Sequence, residues 1–325
     1  MQAFESLVEM LRAWLRAEPM PPLAEAAWPL AQAHRLGGLV HALQPPMEAA
    51  TARAAATAWL KQSARTLHLA RAFAAHWPPD APAPLVLKGF DVLENLLRDP
   101  GARRVSDLDL LLPDPAWAEL VARWRPLADE VRTPRGERHA AESPYELGFV
   151  FDGALLELHR HPQPHHRGGP SGHSLALDAV PGRLEGLPVL YPSPEGRLLL
   201  WLVNQVKGSF HTDLTDVVDL VLALRALSGP GAMARVGELA RACGLATAWP
   251  LALARARWLL PELPLEGLAA TAPFSPLASW MPALAPTPAH PSALRFQAMK
   301  FALTSPAHRL GLVARGLTAT FRARR

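Results

Sequence analysis

Residues 85–113 read LVLKGFDVLENLLRDPGARRVSDLDLLLP. An apolar run, Leu85 to Leu87, leads to Lys88 and to Gly89, expected to turn the chain. A helical stretch from Phe90 to Arg98 then ends at Asp99-Pro100-Gly101. A second apolar run, Leu108 to Leu112, carries two alternating carboxylates, Asp107 and Asp109. Side chains two apart on a strand share a face, so Asp107 and Asp109 should project together while Leu108, Leu110 and Leu112 enter a core. Like charges on one strand face repel, and an apolar strand holds them there when something neutralises them. A hard divalent cation bridged to phosphates is the usual agent.

Downstream, Asp114-Pro115 places an acid at a helix N-cap and proline at the first helical position, with the helix expected to run to about Leu127. Tyr145 to Phe151 and Ala154 to His161 flank Asp152-Gly153, the pattern of a β-hairpin. On its second strand Leu155, Glu157, His159 and His161 share one face and Leu156 and Leu158 the other. Laid beside Leu108 to Leu112, that strand brings Glu157 to Asp107 and Asp109. Leu187 to Tyr191 reads as a last strand, and Ser193-Pro194-Glu195 starts a helix that continues through Lys207.

Before this segment, residues 1–77 read as helical. Phe4, Leu7, Leu11 and Trp14 form one stripe, a second helix is expected to end near Gly37-Gly38, and an alanine-rich run from Met47 to Trp77 forms a long third. Residues 78–84 are a proline-rich linker, and residues 229–325 are proline-punctuated helices. The expected fold is α+β or α/β: a small mixed-sheet core flanked by N- and C-terminal helical regions, divided as 1–80, 81–192 and 193–325.

Lys88-Gly89, then Arg104-Val105-Ser106-Asp107-Leu108-Asp109, then Glu157-Leu158-His159 resembles the DNA polymerase β-like nucleotidyltransferase superfamily, and within it a bacterial family of uncharacterised nucleotidyltransferases. The resemblance covers roughly residues 85–220. It implies Asp107, Asp109 and Glu157 as catalytic and metal-binding carboxylates, Mg2+ or Mn2+ as cofactor, and a nucleoside triphosphate as substrate. Nucleotide contacts fall to Lys88, Gly89, Arg104, Ser106, His159 and Lys207. The family's usual Gly-Ser after the first strand reads Lys88-Gly89-Phe90 here, which removes a hydroxyl.

The 325 residues carry 33 Lys and Arg against 29 Asp and Glu, and half are hydrophobic, enough for a sizeable core. No long uncharged apolar window is present and the opening residues lack the order of a signal peptide, so no membrane partner and a cytoplasmic location are expected. Cys243 is the single cysteine, read as a buried inert thiol. After Glu266 every charged residue is basic, which favours polyanions. Those cations are spread thinly and with few aromatics, so the acceptor expected is a protein, peptide or small-molecule hydroxyl in preference to RNA. Histidines 159, 161, 165, 166 and 173 lie among prolines and glycines without the spacing of a structural zinc site. His34 reads as a partly buried structural histidine, and Asp216 and Asp219 as capping or ion-pairing groups. Fold does not fix function: a phosphotransferase, or a catalytically idle nucleotide-binding or regulatory partner, remains an alternative.

Overall fold

A computed structural model describes residues 2–133, 145–162, 170–207, 213–229 and 231–263. The basic segment after Glu266, and His165 and His166, lie outside the described residues. Helix α1 (Gln2–Arg16) buries Leu7, Met10, Leu11 and Leu15, the spacing of one apolar stripe. Short helices α2 (Trp28–Ala33) and α3 (Gly37–Leu43) follow. Gly37-Gly38 therefore begin a helix and do not end one. The chain breaks two residues earlier at Arg35, whose φ is 61°, and α3 packs along α4 (Ala49–His76).

Among the described residues seven strands form one mixed sheet: β1 (Leu85–Val86), β2 (Leu108–Leu111), β3 (Glu130–Arg132), β4 (Glu146–Phe151), β5 (Ala154–His159), β6 (Val180–Leu184) and β7 (Leu187–Tyr191). Their order is β3-β4-β5-β2-β1-β7-β6. β5 runs parallel to β2 and β7 parallel to β1, and the other pairs are antiparallel. The hairpin turns as the sequence implies, with Asp152 and Gly153 both left-handed, matching the twist of the flanking strands. The two edge strands, β3 and β6, escape a reading of periodicity. β3 is three residues long, and β6 holds a proline and a glycine.

One sheet face is dry. Val86, Leu108, Leu110, Phe149, Phe151, Leu156 and Leu158 pack beneath the last turns of α4 and helix α6 (Asp114–Trp124). Trp124 anchors this core: its Nε1 donates to the His76 carbonyl at 2.9 Å, and its ring meets Trp77, Phe149 and Phe151 edge-on at centroid distances of 5.9, 5.5 and 5.2 Å. At the other end of α6 the N-cap is Pro113 and not Asp114. Asp114 occupies the first helical position and uses its carboxylate to hold Arg160.

On the opposite face Leu85, Leu87 and Leu111 meet Leu175 of α7 (Gly172–Leu177) and Leu200 of α8 (Pro194–Lys207). Helix α5 (Lys88–Val92), extended by one π turn over Leu93–Leu97, is tied to α8 by a buried bidentate pair in which Arg197 donates to both Asp91 oxygens at 2.5 and 2.7 Å. A further core joins α1–α3 to α8, α9 (Leu214–Arg225), α10 (Ala232–Ala242) and α11 (Ala248–Leu259). Arg12 of α1 donates to the Leu259 and Trp258 carbonyls across that contact. His34 is fully buried, where its Nδ1 accepts from the Leu214 N–H at 3.3 Å and fixes α9 against α2. Cys243 is half-buried and ends α10, and burial raises its thiol pKa. No described helix is long and apolar enough to cross a membrane.

Trp124→Ala should cost about 3–5 kcal/mol, since it deletes the largest fully buried side chain and its hydrogen bond. Urea unfolding followed by tryptophan fluorescence and by far-UV dichroism measures it. A loss under about 1 kcal/mol would show that the aromatic cluster collapses around the void.

Candidate metal and nucleotide site

Parallel pairing sets Asp109 of β2 directly beside Glu157 of β5, and Leu111 beside His159. The leucines alternating with them line the dry face, so Asp109, Glu157 and His159 emerge together on the other. One ligand atom from each of the three lies within 4.8 Å of the others. Asp109 is 3% exposed and His159 not at all. His159 Nε2 lies 2.7 Å from Asp109 Oδ1 and 3.6 Å from Glu157 Oε2. The carboxylate oxygen accepts, so Nε2 carries the proton.

Lys88, the first residue of α5, completes the cluster. Its Nζ donates to the same Asp109 oxygen at 2.5 Å. To reach it, the backbone at Lys88 takes a φ of 53°, a conformation that costs an ordinary residue about 1–3 kcal/mol. The chain thus reverses at Lys88, and Gly89 is a helical residue instead of the expected turn. Glycine is needed at 89 for space: a Cβ there would lie 2.7 Å from Arg103 Nη1 and 2.8 Å from Val105 Cγ1. Arg103 is held in that place by Asp219 of α9 at 2.8 Å, so α9 braces the Lys88-Gly89 turn through one guanidinium.

The other candidates fall at varying distances from this centre. Asp107 precedes the strand, partly exposed, but close enough to Asp109, Glu157 and Lys88 to feel their charges. Arg104 and Ser106 are exposed. Lys207, at the end of α8, donates to Glu146 Oε2 at 3.3 Å and lies over the Tyr145 ring. Asp216 closes a capping box with Asp213, which pairs with Arg35. Asp216 and Asp219 thus serve capping and ion pairing, as their spacing implied.

Glu146 and Arg103 are contributors that motif reading passes over. Glu146 Oε2 stands 3.5 Å from His159 Nδ1, without hydrogen-bond geometry. A signal existed for it: a two-residue turn at 152–153 pairs residue 146 with 159 and 148 with 157, the observed register. For Arg103 the sequence held none, because its partner is 116 residues away.

Residues 23–261 match the family described as uncharacterised nucleotidyltransferases. The chain belongs to that family. No curated protein matches it. For a member of a nucleotidyltransferase family, the donor set is apt. Oxygen ligands from Asp109 and Glu157, with Asp107 alongside, suit a hard cation, and the ammonium on Asp109 Oδ1 marks how strongly these acids call for positive charge. Both close contacts to Asp109 among the described residues fall on Oδ1, which leaves Oδ2 for a further partner.

Electrostatics divide the two aspartates. Burial would raise the Asp109 carboxyl, but Lys88 and His159 outweigh it and hold the group far below the usual range. Burial, then the charges of Asp109 and Glu157, push Asp107 up to about 6. Because its folded-state pKa lies above the unfolded value, the stability it contributes is present below about pH 4 and is lost as pH rises through about 6. At pH 8 in EDTA, Asp107→Asn should therefore raise the melting temperature, an advantage that vanishes near pH 4. Asp109→Asn should lose about 1–3 kcal/mol, because it removes the carboxylate that a partly buried ammonium and a buried imidazole both bond. Matched thermal and urea melts test both. A destabilised Asp107→Asn at pH 8 would contradict this electrostatic account.

Proposed function

We propose that the protein transfers a nucleoside monophosphate from a nucleoside triphosphate to a hydroxyl acceptor and releases pyrophosphate. The observation that carries this reading is the convergence of Asp109, Glu157 and His159 on one sheet face of a nucleotidyltransferase-family chain. In it, Asp107, Asp109 and Glu157 would hold Mg2+ or Mn2+, which would supply charge neutralisation for the triphosphate and a lowered pKa for the attacking hydroxyl.

Lys88 then orients the triphosphate from the Asp109 side, with Gly89, Arg104, Ser106 and Lys207 as further candidates for phosphate contacts. His159 fixes the Asp109 carboxylate, and Glu157 accepts the acceptor's proton. The acceptor oxygen attacks the α-phosphorus, the bond from that phosphorus to the bridging oxygen breaks, and pyrophosphate leaves. A protein, peptide or small-molecule hydroxyl is favoured over RNA, because three carboxylates, Glu130, Glu146 and Glu157, face one guanidinium, Arg132, around Glu157.

Incubation with Mg2+ or Mn2+, cell extract and each ribonucleoside triphosphate labelled at the α-phosphate should yield a labelled acceptor and free pyrophosphate. Label transferred only from the γ position would make the protein a phosphotransferase, and no transfer from either would make it a nucleotide-binding partner. In the same assay Glu157→Gln should lower kcat at least about tenfold with little change in nucleotide affinity, as expected for a group acting mainly in the transition state. A variant that binds nucleotide poorly and turns over normally at saturation would misplace Glu157.

A further inference from the structure

α4 has two unlike faces. Inward, Ala55, Leu69, Ala70 and Phe73 enter the cores that join it to the N-terminal helices and to the sheet. Outward, Arg53, Thr57, Leu60, Ala64, Leu67 and Arg71 are all exposed. They follow one another at spacings of four, three, four, three and four, the a and d positions of a heptad repeat. An exposed leucine by itself needs no explanation, but Leu60 and Leu67, 60% and 40% exposed, stand one heptad apart with Ala64 between them. Thr57 satisfies its hydroxyl within the helix, donating to the Arg53 carbonyl at 2.9 Å. The result is a shallow seam about 27 Å long, in which alanine and threonine leave room for a second helix to approach closely.

Charge limits what can lie on that seam. The 28 residues of α4 include no aspartate or glutamate, while Arg53, Lys61, Arg65, His68 and Arg71 are exposed on or beside the seam. Arg65 donates to the Ser106 carbonyl at 3.1 Å and the His68 ring lies 3.0 Å from the Asp152 carbonyl, so both partners are backbone. Arg53, Lys61, Arg65 and Arg71 form no ion pair with another of the described residues. A second copy of the chain, laid face to face, would set these cations against one another. The chain's own C-terminal residues carry no acid after Glu266 and bring the same sign. The seam therefore suits an acidic partner. Nucleic acid would meet the cations with phosphates but would set Leu60 and Leu67 against a charged backbone, whereas an amphipathic helix covers both features at once.

We propose that this face of α4 docks an acidic amphipathic helix of a partner protein. The apolar residues of that helix pack on Thr57, Leu60, Ala64 and Leu67, and its carboxylates meet Lys61, Arg65 and the arginines at the two ends. Ser106, whose carbonyl Arg65 holds, immediately precedes Asp107. The docked helix thus lies alongside the loop that enters the acidic site, and brings the partner within reach of it.

The probe is a labelled three-heptad peptide with leucine at a and d and glutamate at e and g, titrated with the full chain and followed by fluorescence anisotropy. Two controls accompany it: the same residues with the leucines shuffled out of register, and lysine in place of every glutamate. The acidic in-register peptide should bind at least about tenfold more tightly than either. Leu60→Ser with Leu67→Ser should bring its affinity down to that of the shuffled peptide, and Lys61→Glu with Arg71→Glu should turn the preference to the lysine peptide. All four positions are exposed, and unchanged thermal melts check that both double variants fold. Equal binding of ordered and shuffled acidic peptides overturns the helix seam. Tighter binding of a single-stranded RNA oligonucleotide or of phosphatidylserine vesicles also overturns it and makes α4 a nucleic-acid or membrane surface. Binding that neither double variant moves, or no binding of the acidic peptide, overturns it as well.

Discussion

Asp109 holds a negative charge in a place nearly closed to water, and it does so because Lys88 and His159 both reach one of its oxygens. An isolated buried carboxylate would protonate; this one stays ionised. The surrounding geometry follows from that requirement. β1 is only two residues long because the chain must reverse at Lys88 to aim the ammonium inward. Gly89 is bare because Arg103 lies over that reversal, and Arg103 is there because Asp219 holds it.

The helices around the sheet therefore do more than cover it. α8 anchors α5 through Arg197 and Asp91, and α9 braces the loop before β2 through Asp219 and Arg103. Each ion pair is buried, where removing one partner costs far more than the pair gained on forming. The acidic face thus rests on two clamps from the C-terminal helices, and a change in either would be felt at Lys88 before it was felt in the sheet.

How much of this the sequence disclosed depended on the range of the interaction concerned. The Asp109 strand, the Asp152-Gly153 hairpin and the placement of Glu157 beside Asp109 were legible, because alternation and turn chemistry are local. Glu146 was legible in principle, through the same hairpin register. Gly89 was misassigned because its glycine answers to a guanidinium 14 residues on and not to its own backbone. Gly37-Gly38 misled for a related reason: glycines mark helix ends often, but here they serve packing between α3 and α4. Asp114 had the composition of an N-cap, yet Arg160 competed for its carboxylate. Arg103 and Asp219 could be paired only by the fold.

The core shared by α1–α3 and α8–α11 carries a consequence for synthesis. The apolar stripe of α1 packs against helices more than 180 residues later in the chain, and Arg12 caps carbonyls 246 and 247 positions away. As the ribosome extends the chain at about 5–20 residues per second, that stripe spends of the order of ten seconds or more without its partners. The sheet and α4 can close their aromatic core meanwhile. Helix α1 therefore stays without its packing partners until α11 has emerged.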